Sequence, residues 1–150
     1  MSRKTETDEI DTIARNCIAV RLRLVNRVIS GIYDESLRPL GLKVSQMNIL
    51  VVTAKLGIAR PAEVCELLQI DVSTLSRNVE RMRVRGWLEK VADAGDARAQ
   101  PFQITAAGRK LLNQAVPLWK QAQKAATERL GSDVVNTLTR VAGALRRQAE

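Results

Sequence analysis

Apolar residues recur near the start of the chain at Ile10, Ile13, Ala14, Cys17, Leu24, Val25, Val28 and Ile32. That 3.6-residue spacing collects them on one helix face. The pattern predicts a single amphipathic helix from Ile10 to about Leu37, roughly 40 Å long at 1.5 Å per residue. A stripe of that length exceeds what a small chain covers by itself, so part of it is expected to pack on a second subunit. Asp8, Glu9 and Asp11 sit where the positive end of the helix dipole favours acids. Pro39 cannot continue the backbone ladder and Gly41 can take a positive φ, so the helix stops there.

Three short helices are expected next. Ser45 caps one running from Gln46 to Leu56, closed by Gly57. Pro61 opens another carrying Val64, Cys65, Leu67 and Leu68, and after the turn Gln69-Ile70-Asp71 a third runs from Val72 to about Arg85, closed by Gly86. Two short helices joined by about three residues, the second one basic, have the outline of a helix-turn-helix.

At 100° per residue, Val72, Leu75, Val79 and Met82 form the core stripe of that second helix. Ser73, Arg77, Glu80, Arg81 and Val84 face outward together, with Thr74 and Ser76 on the flanks. Hydroxyls and arginines at the N-terminal end of an outward face are the donors a major-groove reader needs. A run such as Arg77, Arg81, Arg83 and Arg85 can equally be a solvated helix face.

After Gly86 the period becomes extended. Residues 87–91 and 101–104 read as two short strands around a small polar loop that turns at Gly95, a β-hairpin directly behind the basic helix: a wing. Pro101 fits a strand start or an edge. Thr105 then caps a helix bearing Leu111, Leu112, Ala115, Leu118, Trp119, Ala122 and Ala126, with Pro117 expected to kink it. Gly131 and Ser132 separate it from a last helix striped by Val134, Val135, Leu138, Val141, Ala142 and Leu145.

Composition narrows the chemistry. The 150 residues contain no histidine and two cysteines, which argues against histidine-based acid-base and nucleophilic catalysis, against a disulfide framework and against a zinc site. No catalytic residue, metal or cofactor is expected. The longest stretch without a charge is eleven residues, 44–54, too short for a bilayer span, and the mixed-charge start does not resemble a secretory signal. A cytoplasmic protein without a membrane partner is therefore expected. The net charge of +8 favours a polyanion as partner, and only four aromatics disfavour base stacking on a single strand, which leaves double-stranded DNA. The charge is not focused on the basic helix, because residues 60–110 hold nine basic and seven acidic side chains and residues 1–59 hold nine and six.

The segments Tyr33-Asp34, Leu37-Arg38-Pro39-Leu40-Gly41-Leu42, Ser45-Gln46, Asp71-Val72-Ser73-Thr74-Leu75-Ser76-Arg77, Gly86-Trp87-Leu88, Asp96-Ala97-Arg98 and Ile104-Thr105-Ala106-Ala107-Gly108-Arg109 occur in an order and spacing that resemble the MarR family of transcriptional regulators. The resemblance covers roughly residues 10–125. It implies a mainly α fold, a winged helix-turn-helix lobe over 45–104 with a two-stranded wing, and long N- and C-terminal dimerisation helices over 10–38 and 105–149. It also implies a homodimer acting as a repressor or activator on a pseudo-palindromic operator, modulated by a phenolic or carboxylate effector or by an oxidant. Ser73, Thr74, Ser76 and Arg77 would lie in the major groove, and Arg98 in the minor groove, oriented by Asp96.

Three positions depart from the family pattern. Arg60 stands where Ser or Thr usually caps a helix, the wing is poor in charge, and Gln69 replaces a turn glycine, which requires it to avoid positive φ. Cys17 is either a small hydrophobe of the apolar stripe or a redox residue, since a hydroperoxide-sensing branch of the family uses a cysteine near this part of the helix, two positions away in an ungapped register. Cys65 reads as a core residue, and Trp119 as dimer or domain core. The rival from a different class is a basic helical adaptor or membrane-surface protein that does not read DNA.

Overall fold

The computed structural model describes residues 2–92 and 100–148. Its elements are α1 (Ser2–Asn16), α2 (Ile18–Leu37), a single 3-10 turn (Arg38–Leu40), α3 (Val44–Leu56), β1 (Ile58–Ala59), α4 (Pro61–Leu68), α5 (Val72–Val84), β2 (Leu88–Lys90), β3 (Phe102–Ile104), α6 (Ala106–Leu130) and α7 (Ser132–Gln148).

The first helix is broken where unbroken periodicity predicts continuity. Cys17 adopts an extended ψ of 111°, which separates α1 from α2. In a continuous helix the carbonyls of Arg15 and Asn16 would accept from N–H groups four residues on. Here the Arg21 guanidinium donates to both instead, so a side chain replaces the missing ladder bonds. Beyond the break α2 packs along α6, and Tyr33 Oη donates to Gln123 Oε1 across that contact. Burial raises the Tyr33 phenol above its ordinary value.

Pro39 and Gly41 turn the chain as their residue types require, with Gly41 at φ 62°. The start of α3 differs from expectation. Ser45 lies inside the helix, and the terminal N–H groups are satisfied by the side chains of Asp34, which accepts from Val44 N–H at 2.8 Å, and Gln46, which accepts from Lys43 N–H at 3.1 Å. The cap therefore comes partly from α2 and fixes the angle at which α3 leaves it.

Gln69 also departs from expectation. It takes the left-handed conformation, φ 52° and ψ 49°, where a residue in place of glycine was expected to avoid positive φ. That geometry costs a non-glycine residue roughly 1–2 kcal/mol. It allows Ile70 N–H to close on Cys65 O at 3.1 Å, and Gln69 Nε2 adds a bond to Glu66 O at 2.7 Å.

The wing gains a strand. The sheet is three-stranded and antiparallel in the order β1-β3-β2, with Ile58 opposite Gln103 and Leu88 opposite Ile104. Pro101 lies just before the central strand, so the ladder loses no donor, and its carbonyl accepts from Val91 N–H at 2.9 Å. The core under this sheet joins Leu37, Leu50, Val64, Leu75, Met82 and Phe102, each at most 2 % exposed. Burial of such side chains contributes about 1.5–3 kcal/mol apiece.

The lobe is bolted to α6 at Thr105. Its hydroxyl donates to Gly86 O at 2.6 Å and accepts from Gly108 N–H at 3.0 Å, while its own N–H donates to Trp87 O at 3.1 Å. Gly108 makes this close approach possible, because a Cβ there would stand 2.2 Å from Trp87 O. The helix then runs through Pro117 as one element to Leu130, and Gly131 turns the chain into α7. No residue of α7 is buried within the single chain, and its Val134, Leu138, Val141 and Leu145 stripe is open.

Candidate nucleic-acid interface

The turn from α4 into α5 sets the geometry of the outward face. Asp71 caps α5: its Oδ1 accepts from Thr74 N–H at 2.7 Å and from the Ser73 hydroxyl at 2.6 Å, and its Oδ2 accepts from the Thr74 hydroxyl at 2.8 Å. The Ser73 hydroxyl is the largest cause holding the Asp71 carboxyl well below the usual carboxylate range, followed by the Thr74 amide and hydroxyl. Consequently the Ser73 and Thr74 hydroxyl protons are already committed, and both oxygens meet an incoming ligand as acceptors unless Asp71 releases them. The composition of the helix-turn-helix did not reveal this hub, although an Asp two and three residues before hydroxyls at a helix start is its sequence signature.

Wheel positions and observed exposure agree for most of α5. Leu75 and Met82 are buried, while Ser73, Ser76, Arg77, Glu80, Arg81 and Val84 are exposed and Thr74 is half-buried. Val72 is the exception. Assigned to the core stripe by its wheel angle, it is 65 % exposed, because the first turn of α5 projects beyond the lobe's packed layer.

The arginines separate by partner. Arg83 forms a two-pronged ion pair with Glu80, Nη2 to Oε1 at 2.7 Å and Nε to Oε2 at 2.9 Å, which lowers the Glu80 carboxyl and raises the Arg83 guanidinium. Arg85 donates from Nη1 to Gly41 O at 2.7 Å and lies 4.9 Å from the centroid of the Trp87 ring. Among the described residues, Arg77 and Arg81 have no ion-pair partner. The outward face therefore offers two uncommitted cations next to Ser73 and Ser76.

Asp96 and Arg98 lie outside the described residues. Strand β2, which precedes them in sequence, leaves from the C-terminal end of α5, because Gly86 at φ 74° reverses the chain and Trp87 N–H closes on Met82 O at 2.9 Å. Cys17 is remote in sequence from this face and half-buried at the break between α1 and α2. Ser73, Thr74, Ser76, Arg77 and Arg81 are thus collected on one helix, and Cys17 is not part of that group. Among the described residues no cluster of metal-ligating side chains occurs, and no helix is long and apolar enough to cross a membrane.

Comparison with known proteins agrees with this geometry. The MarR family profile matches residues 40–99, from the end of the 3-10 turn past β2 and stopping short of β3. The multiple antibiotic resistance protein MarR of Escherichia coli K12 is 26 % identical over 118 residues, covering 78 % of this chain and 82 % of that protein. A crystal structure of a mutant E. coli MarR complexed with operator DNA superposes with a TM-score of 0.77 at 22 % identity, over 89 % of this chain and 96 % of that one. The M. tuberculosis transcriptional regulator MosR, crystallised in complex with DNA, gives a TM-score of 0.74 at 32 % identity, over 88 % and 98 % of the two chains.

Proposed function

The chain belongs to the MarR family, and from that premise we propose that it is a DNA-binding transcriptional regulator, a repressor, whose homodimer occupies a pseudo-palindromic operator. The observation that carries this reading is the outward face of α5, where among the described residues Arg77 and Arg81 lack ion partners beside the exposed Ser73 and Ser76 while Arg83 and Arg85 are engaged within the protein. A guanidinium free to form a planar two-pronged contact matches the O6 and N7 acceptors of guanine. Ser73 and Thr74, whose hydroxyls donate to the Asp71 carboxylate, present acceptor oxygens that suit donor groups at the groove edge. Arg98, held by Asp96, reads the minor groove. The protein acts by occupancy, not by catalysis.

The dimer follows from α2 and α7. Leu22, Leu24, Leu138 and Leu145 are 41–63 % exposed on a single chain, and no residue of α7 is fully buried. A second copy covers these faces and sets the spacing of two α5 helices, so operator half-sites lie about one helical turn, roughly 34–36 Å, or a multiple apart. The regulatory input is a small phenolic or carboxylate effector, or an oxidant acting at Cys17.

The test is duplex binding at rising salt, comparing a duplex enriched from a random library with the unselected library. The reading expects the enriched duplex to bind at least about 10³-fold more tightly, with affinity falling steeply as salt rises. Equal binding to both would favour a basic helical adaptor instead.

A further inference from the structure

The four arginines along α5 and its C-cap, the recognition helix of the reading above, look interchangeable as charges, yet Arg85 sits in a different environment from the rest. It is the C-terminal cap residue of α5, where helix carbonyls favour a cation. Its guanidinium reaches back to the carbonyl of Gly41, in the turn that ends α2, and lies against the Trp87 ring at the entry to the wing. Gly41 is bare where the contact lands: at φ 62° it favours glycine, and an added Cβ would come within 3.1 Å of Arg85 Nη1. The acid lining the same groove, Glu80, is already paired with Arg83, and among the described residues no carboxylate pairs with Arg85.

We propose that Arg85 is a positioning residue and not a DNA contact: it clamps the C-terminus of the recognition helix to the turn after α2 and to the first residue of the wing, fixing the pitch at which α5 is presented. The proposal rests on the DNA-binding reading above. Its chemistry explains why arginine is needed, since one planar group both donates in its plane and stacks through its face, and a lysine ammonium cannot do both. The clamp also joins the turn after α2, the end of α5 and the residue before β2 through a single side chain.

The experiment compares wild type, Arg85→Gln and Arg85→Lys by duplex titration at several salt concentrations, on the library-enriched duplex and on the random duplex. It is accompanied by circular dichroism and by the indole N–H NMR signals of the free proteins. Arg85→Gln should keep its helix content, move one of the two indole signals, and lose about 3- to 10-fold in affinity for the enriched duplex, a fraction of the lost charged hydrogen bond and ring contact. Random-duplex affinity and the salt slope should stay as in wild type. Arg85→Lys should fail to restore the loss, and it carries the same readouts if the glutamine variant does not fold. A salt slope shallower by about 0.9 with equal losses on both duplexes, or full rescue by lysine, identifies a phosphate contact and overturns the proposal. Unmoved indole signals overturn it whatever the DNA result. If wild type shows no preference for the enriched duplex, the DNA-binding reading fails, while the indole signals still decide the clamp.

Discussion

Gly108→Ala pits two effects of opposite sign against each other at the joint between the lobe and α6. Helix propensity alone predicts stabilisation of about 1 kcal/mol, because alanine is the better helix former. The geometry predicts the reverse. The new Cβ would stand 2.2 Å from Trp87 O and 2.8 Å from Ile104 Cγ1, against an ordinary contact of roughly 3.4 Å or more. Trp87 cannot yield easily, since its N–H is held by Met82 O and its carbonyl by Thr105 N–H. The first turn of α6 must therefore move by about 1 Å and give up the Thr105 to Trp87 bond. Overpacking of this kind costs about 1–3 kcal/mol and the bond about 1 kcal/mol more. After the propensity gain, the net destabilisation is about 1–3 kcal/mol, a fall in Tm of roughly 3–10 °C for a domain of this size. Urea unfolding at fixed protein concentration reads it as a lower midpoint with an unchanged m value. A variant as stable as wild type, or more stable, would refute the close docking of α6 on the β2 entry.

Other consequences follow from the same geometry. Dilution should lower the Tm, because the apolar stripes of α7 and α2 stand open on a single chain and the proposed dimer would cover them; sedimentation showing a folded monomer at micromolar concentration would contradict this. The Asp71 carboxyl is depressed, so its contribution is present above the unfolded carboxylate value near 4 and is lost as pH falls through the folded value. The Tm advantage of wild type over Asp71→Ala should thus shrink below about pH 4, and a gap constant from pH 7 to 3 would remove the cap from the account. Arg98→Ala should weaken binding to all duplexes and make the salt slope shallower by up to about one unit, with Asp96→Ala a weaker copy, as titrations on enriched and random duplexes will reveal. Cys17→Ser should leave operator binding intact, since Cys17 is half-buried at a helix junction remote in sequence from α5; loss of binding in an electrophoretic shift would tie the break to DNA recognition.

The helix-turn-helix was legible because its boundaries are marked by residues with local causes: Gly57, Pro61 and Gly86 each stop or start a helix through their own backbone chemistry. The break at Cys17 was not, because apolar residues keep helical spacing on both sides and the compensating group, Arg21, lies four residues on. The two-residue strand Ile58–Ala59 was hidden for a different reason. It exists only because β3, more than forty residues later, offers an edge. The same holds for the Asp34 cap on α3 and the Arg85 clamp on Gly41, both of which join residues distant in sequence. At the candidate site the wheel identified the outward set Ser73, Arg77 and Arg81 correctly. It could not sort the arginines, because partner choice depends on side-chain contacts that periodicity does not encode.

The central claim is that α5 reads base pairs through Arg77, and selection of duplexes from a random library by wild type and by Arg77→Ala in parallel tests it directly. Wild type should enrich a two-fold-symmetric sequence. The variant should lose about 1–3 kcal/mol on that sequence and relax its preference at one symmetry-related pair of positions, with random-duplex binding much less affected. No enrichment by wild type, or identical enriched sequences from the two proteins, would contradict the account.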